Sequence, residues 1–288
     1  MPNFPTSGNR PTLGNWPDTS DKLWPTQTNW PPSSGGAAFT PWTDPSCLAF
    51  IYAGQAGQTT AVGGAPSVLR TTIIPNLVTP AQTFTIPATF QGAAGDTSIG
   101  GMATWVADTL LTTLSNATIA IPAINATGAS VFIWEVARCD ASPTGFEQLS
   151  CIGSGNDPGI RAQFSGAGVS SVIAGFTRTV TSGAGYTQGV AKRIVAYFSG
   201  ADNVDYIQWG SVSSGAGATA TSGASSGAAI FNRTTTTAPS TGGKGAWGVF
   251  TATGANAAAR TAAAASLVAQ IDSWAATYYG GAWGALAS

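Results

Sequence analysis

The run Ser130-Val-Phe-Ile-Trp-Glu-Val-Ala-Arg138 constrains this chain more than any other stretch. Phe132, Trp134 and Val136 alternate with Val131, Ile133 and Glu135, which is the period of an extended strand, and the β-branched and aromatic content suits the middle of a sheet. One face should be fully covered and the other partly covered. Other strand-like runs surround it: Cys47–Tyr52, 67–74 ended by Pro75, 83–90 with Pro87 demoting it to an edge, 103–111, 118–122, 172–180, 192–198 and 204–209. In the 172–180 run, Val172, Phe176 and Val180 are expected on a common face. Gly, Ser and Asp-Pro turn signals separate the runs from about 102 to 231, as in an antiparallel sandwich. The small-residue tract 213–227 reads as a loop, with a β-ribbon as the alternative.

Outside that region the chain changes character. Residues 1–46 carry nine prolines together with Trp16, Trp24, Trp30 and Trp42, so they read as an extended arm anchored by indole rings, on a neighbouring subunit or on its own domain. Residues 255–288 hold one helix, with Asn256 placed to cap it and Gly280-Gly281 to end it. Leu267, Ile271, Trp274 and Tyr278 form its apolar stripe. That stripe can dock on the sandwich, while the Ala-rich remainder would also let copies approach around an axis. The expected fold is therefore mainly β: an antiparallel β-sandwich or jelly roll over 47–254, with an extended N-terminal arm and a C-terminal α-helix.

Charge is the chain's anomaly. Only 8% of its 288 residues are charged and the net charge is -1, against about 25% charged in an ordinary soluble domain. Such a surface has weak protection against association, so burial against other subunits is expected, with copies of itself as partners in a homo-oligomer. Eleven basic residues with no cluster argue against nucleic acid. No spanning segment is visible, and no basic-then-apolar signal opens the sequence, so a cytoplasmic origin and no membrane partner are expected. Cys47, Cys139 and Cys151 are then expected as buried free thiols, although Cys139 and Cys151 could bridge a hairpin.

Catalytic chemistry has little to work with. Histidine is absent, which removes Ser-His-Asp and Cys-His activation and His-based zinc sites. A carboxylate pair for glycoside hydrolysis would have to come from Glu135, Glu147, Asp108, Asp140 or Asp157, none of them in a persuasive arrangement. Asp202 and Asp205 could offer oxygen to calcium, but an Asn/Asp turn explains them equally. No catalytic, cofactor-binding or metal residue is assigned, and no cofactor is expected. The subunit-interface candidates are Trp16, Trp24, Trp30, Trp42, Leu267, Ile271, Trp274 and Tyr278.

Four runs taken in order, Ala103-Thr-Trp-Val-Ala-Asp-Thr-Leu, Thr118-Ile-Ala-Ile-Pro-Ala-Ile, Val131-Phe-Ile-Trp-Glu-Val-Ala-Arg and Lys192-Arg-Ile-Val-Ala-Tyr-Phe, carry a resemblance. Their order resembles the jelly-roll module of structural proteins of tailed bacteriophages, over about residues 100–235. The resemblance implies a non-enzymatic virion protein, as head decoration or cement or as a tail or fibre component, packed with other virion proteins. A carbohydrate-binding adhesin recognising a cell-surface glycan is the alternative expectation.

Overall fold

The computed structural model describes residues 39–63, 68–86, 92–107, 117–125, 130–140, 146–152, 159–165, 168–174, 178–181, 189–202, 204–213, 224–231 and 242–288. The chain divides into two units, Met1–Phe39 and Thr40–Ser288, and all described residues but Phe39 lie in the second. Trp16, Trp24 and Trp30 fall outside the described residues.

In chain order the strands begin with β1 (Cys47–Tyr52), β2 (Thr59–Gly63), β3 (Val68–Pro75), β4 (Thr83–Thr85), β5 (Gly92–Ile99) and β6 (Met102–Ala107). Next come β7 (Ala117–Asn125), β8 (Ser130–Cys139), β9 (Phe146–Ile152), β10 (Gly159–Ser165), β11 (Gly168–Ala174) and β12 (Arg178–Thr181). The last are β13 (Lys192–Ser199), β14 (Val204–Trp209), β15 (Val212–Ser213), β16 (Ala224–Ile230) and β17 (Gly242–Ala252). Helix α1 (Ala257–Tyr279) and a short α2 (Trp283–Ala287) follow.

These strands make an antiparallel β-sandwich with one C-terminal helix packed outside it. One layer runs β1–β17–β8–β13–β14, the other β3–β4–β7–β16–β9–β10–β11–β12. β6 joins the layers by pairing with β5 and with the start of β17. Between them lies a single apolar core that takes Val131, Ile133 and Ala137 from β8, Ile194, Ala196 and Phe198 from β13, and Trp247 and Val249 from β17. The opposing layer supplies Phe84, Ile119, Ile121, Leu149, Ile152, Ile160 and Ile230.

β8 sits centrally, as its composition predicts, but both its faces are closed: Ser130 to Ala137 are all buried. The second cover is α1. Asn256 accepts a hydrogen bond from the Ala259 amide at 2.9 Å, and Gly280, with φ of 55°, ends the helix in a conformation that favours glycine. Ala264, Leu267, Ile271, Ala275 and Tyr279 are buried beneath it. The predicted stripe thus docks on the chain's own sheet.

Three readings change. The run 172–180 is not one strand but the paired strands β11 and β12, so Val172 and Val180 sit opposite each other across a ladder. An alternating sequence cannot by itself distinguish one long strand from two short ones joined by a turn. The 83–90 strand is described only to Ile86, with 87–90 outside the described residues. The tract 213–227 is partly strand, since β16 begins at Ala224, while 214–223 lie outside. Cys47, Cys139 and Cys151 are buried thiols outside any disulfide, and burial pushes the Cys47 thiol well above its ordinary value.

Candidate functional site

The outer face of the first layer is aromatic. Phe132 stacks on Phe250 at 5.1 Å between ring centroids, and Tyr197 stacks on Tyr206 at 5.1 Å. Gly248 lies between Phe50 and Trp134 on neighbouring strands, and a Cβ there would come within 2.6 Å of the Phe50 ring. Its missing side chain lets those two rings lie 6.4 Å apart. Trp274 from α1 sits over this floor, edge-on to Phe50 at 5.1 Å and Tyr52 at 5.5 Å and stacked on Tyr278 at 5.5 Å.

Trp42 joins the same cluster. Pro41–Thr43 form a 3-10 turn whose Asp44 accepts a hydrogen bond from the Ser46 amide, and Trp42 stacks on Tyr52 at 5.7 Å. Of the interface candidates, then, Trp42, Leu267, Ile271, Trp274 and Tyr278 are gathered onto one face of their own chain.

The charged side chains that are described mostly serve contacts within the chain. Asp272 accepts from Trp134 Nε1 at 2.8 Å and faces Arg193 Nε at 3.6 Å, so it ties the helix to the sheet. Burial raises its pKa, and the Arg193 charge and the indole N–H oppose that rise. Arg193 also donates to Gln208 and to the Gly210 carbonyl. Near the start of α1, Arg260 holds Asp202 through two nitrogens, and Asp202 accepts from Ser199, whose hydroxyl meets that of Ser130 at 2.6 Å. Lys192 donates to the carbonyls of Ala285 and Ser288, and Arg138 pairs with Asp140. Lys244 and Glu135 form an ion pair in the core, both fully buried, with the Phe231 ring 5.5 Å from the ammonium. Burial pushes the Lys244 pKa down and Glu135 opposes it.

Among the eleven charged residues whose side chains are described, none stands free in solvent: Asp44, Arg70, Glu135, Arg138, Asp140, Lys192, Arg193, Asp202, Lys244, Arg260 and Asp272 are all buried or half-buried, and the Asp140 side chain, 37% accessible, is paired with Arg138. What α1 shows to solvent is uncharged and, apart from Gln270, small: Ala257, Ala258, Thr261, Ala262, Ala265, Ser266, Ala269, Ser273 and Thr277.

The candidates for other chemistry are accounted for in the same way. Glu135 is paired with Lys244 and Asp140 with Arg138. Asp108 and Asp157 lie outside the described residues, as does the side chain of Glu147. Asp202 is held by Arg260 and Ser199, and the side chain of Asp205 is not described. A cleft of about 80 Å³ is lined by Gln58, Thr60, Thr71, Thr104 and Trp105, far below the roughly 300–1,000 Å³ of small-molecule pockets. Its polar groups are partly committed already: Trp105 Nε1 donates to Gln58 Oε1, Gln58 Nε2 to two carbonyls, and Thr104 to Met102. No tryptophan is exposed among the described residues.

The Asp202 pair predicts an acid response. Hydrogen bonds from Arg260 and Ser199 lower the Asp202 pKa from 3.8 to about 2. A carboxylate depressed in the folded state stabilises it above its unfolded pKa, and that contribution fades as the pH falls from about 4 towards 2. Asp272, raised by burial, acts with the opposite sign, because its proton uptake favours the folded state. Asp202→Asn should therefore melt lower than the wild type at neutral pH and lose less on going from about pH 4 to 2, as read by thermal melts across that range.

No protein-family model matches this sequence. No curated protein matches it either. Among solved structures the chain is similar to the Trypanosoma rangeli sialidase in complex with a difluorinated nononic acid, at 14% identity and a TM-score of 0.42, over 76% of this chain and 32% of that one. It spans about a third of the sialidase's length. Domain 4 of AbnA, an extracellular arabinanase of Geobacillus stearothermophilus solved with arabinotriose, is 11% identical with a TM-score of 0.39, over 76% of this chain and 98% of that domain. The alginate lyase AlgAT5 is 10% identical with a TM-score of 0.36, over 59% of this chain and 82% of that one.

Proposed function

We propose that this protein is a non-enzymatic structural subunit that works by packing against copies of itself and other subunits, as a component of a bacteriophage virion. The observation that carries the reading is the described surface, on which no charged side chain is exposed. A neutral surface of alanine, serine and threonine has little to oppose association, whereas contact between such surfaces strands no charge away from water. Of the described carboxylates, Glu135, Asp140, Asp202 and Asp272 face cations and Asp44 accepts from the Ser46 amide, and no nucleophile–base pair is assembled from the described side chains. The resemblance of the four strand runs to tailed-phage jelly rolls supplies the virion setting.

The arm is the part expected to reach a neighbour. Because Pro41 to Thr43 pack with β1, the separable segment is 1–39, seven residues shorter at its end than the Pro and Trp pattern suggests. A chain lacking residues 1–39 is expected to fold and melt like the full chain while failing to enter particles. Antibody-labelled electron micrographs of the parent particle test this. Normal incorporation of the shortened chain would contradict the role of the arm, and absence of label from particles would contradict the virion reading.

A glycan-binding role is the second reading, and its foothold is the Trp105 cleft with its threonine hydroxyls. Specific glycan-array binding, lost on replacing Thr60 or Gln58 with alanine, would place that reading first.

A further inference from the structure

Edge strands are where sheets meet other chains, and this sandwich treats two of its edges differently. On β1 the backbone is blocked by side chains and a crossing loop: Asn76 Oδ1 accepts from the Phe50 amide at 3.1 Å, Gln55 Oε1 from the Tyr52 amide at 2.8 Å, and the Leu77 amide donates to the Phe50 carbonyl at 3.0 Å. β2 has no such cover among the described residues. It pairs with β3 alone, and its further polar contact comes from that same strand, Thr72 donating to the Thr59 carbonyl at 3.1 Å. Thr59, Thr60, Ala61 and Val62 are all exposed, and Val62, at 72% exposure, is more exposed than Val190, the other large apolar side chain left in solvent among the described residues. The strand Thr59–Gly63 also lacks lysine, acidic residues and proline, the usual guards of an open edge.

We propose that β2 is an assembly edge that pairs antiparallel with β2 of a second copy across a two-fold axis. This deepens the structural-subunit reading and rests on it. A copy suits the edge because identical neutral strands meet without like-charge repulsion, and a two-fold axis repeats every inter-strand hydrogen bond on its other side. Beside the edge, Thr60 lines the cleft with Thr71, Thr104 and Trp105, and Val62 shares the face of Thr60 by strand alternation. The opposing strand would bring its own small side chains over this cleft. Five residues bury much less than the roughly 800 Å² per partner of a stable interface, so the contact is weak in isolation and becomes effective where other contacts already hold the subunits together.

The test uses the full chain with Val62→Lys and Val62→Glu, each checked for a native circular dichroism spectrum and melting profile. Light scattering behind size exclusion should show each variant associating about tenfold or more weakly than the wild type, and an equal mixture of the two should restore association, because the Lys of one copy then lies across the ladder within reach of the Glu of the other. Wild-type association in both single variants would overturn the edge while leaving the subunit reading intact. Weakened association that mixing does not restore would overturn self-pairing, since the edge would then meet a different surface. A wild-type chain that stays monomeric would remove both. Ala61→Lys and Ala61→Glu repeat the test should Val62 prove necessary for folding.

Discussion

Replacing Glu135 with alanine is expected to destabilise the fold by about 3–5 kcal/mol, the largest loss foreseen for any single charged residue here. The reason is what remains behind: Lys244, fully buried between the layers with Glu135 as its ion-pair partner, would keep its ammonium in an apolar core. The pair itself is no great source of stability, because desolvating two charges offsets most of their attraction, and Glu135 Oε1 has no hydrogen-bond partner among the described residues. The double variant Glu135→Leu with Lys244→Met should therefore lie between neutral and about 4 kcal/mol more stable than the wild type. Urea unfolding of the two variants measures both. A mild Glu135→Ala loss together with a severe double-variant loss would contradict the account. The single variant also has a pH signature. Burial depresses the Lys244 pKa, so its folded form sheds the proton more readily than its unfolded form, and Glu135→Ala should gain stability as the pH rises from about 7 to 10.

Trp274→Ala is the second large effect, at about 3 kcal/mol. Its ring contacts Trp42, Phe50, Tyr52, Trp134 and Tyr278, so the substitution empties the centre of the cluster that holds α1 and the Pro41–Thr43 turn to the sheet. The same residue was a candidate for contact between subunits, and the two roles give different results. An anchor within one chain lowers the melting temperature by the same amount at every protein concentration, whereas a contact between chains gives a loss that is small in dilute solution and grows as concentration rises. The structure predicts the first.

The elements legible in the sequence were those whose physics is local. β8 announced itself by alternation, and α1 by its Asn256 cap, its Gly280 stop and a stripe at helical spacing. β17, the strand paired to β8 along its whole length, went unread because its signal is doubly disguised. Glycine at 242, 243, 245 and 248 removes four of its eleven side chains, and the register shift beside Gly245 lets Lys244 and Trp247, three residues apart, both point into the core. Period two fails across that bulge. Glu135 was read as lying on a partly open face because its partner is 109 residues away and only the sheet pairing brings them together. Trp42 looked like part of the arm because proline content ignores where the chain first meets its own fold. The edge at β2 left no mark for a similar reason: Thr-Thr-Ala-Val-Gly is an unremarkable strand, and only its having no second partner strand among the described residues makes it distinctive.

The central claim is that a surface whose described part exposes no charged side chain is made to be covered by other subunits. Sedimentation equilibrium of the full chain over a wide concentration range, at low and at high salt, tests it most directly. The account predicts a weight-average mass that climbs well above the 28.8 kDa of one chain as concentration rises, and climbs alike in both salts, because apolar and backbone contacts are not screened. A mass fixed at that of one chain throughout the range would contradict it.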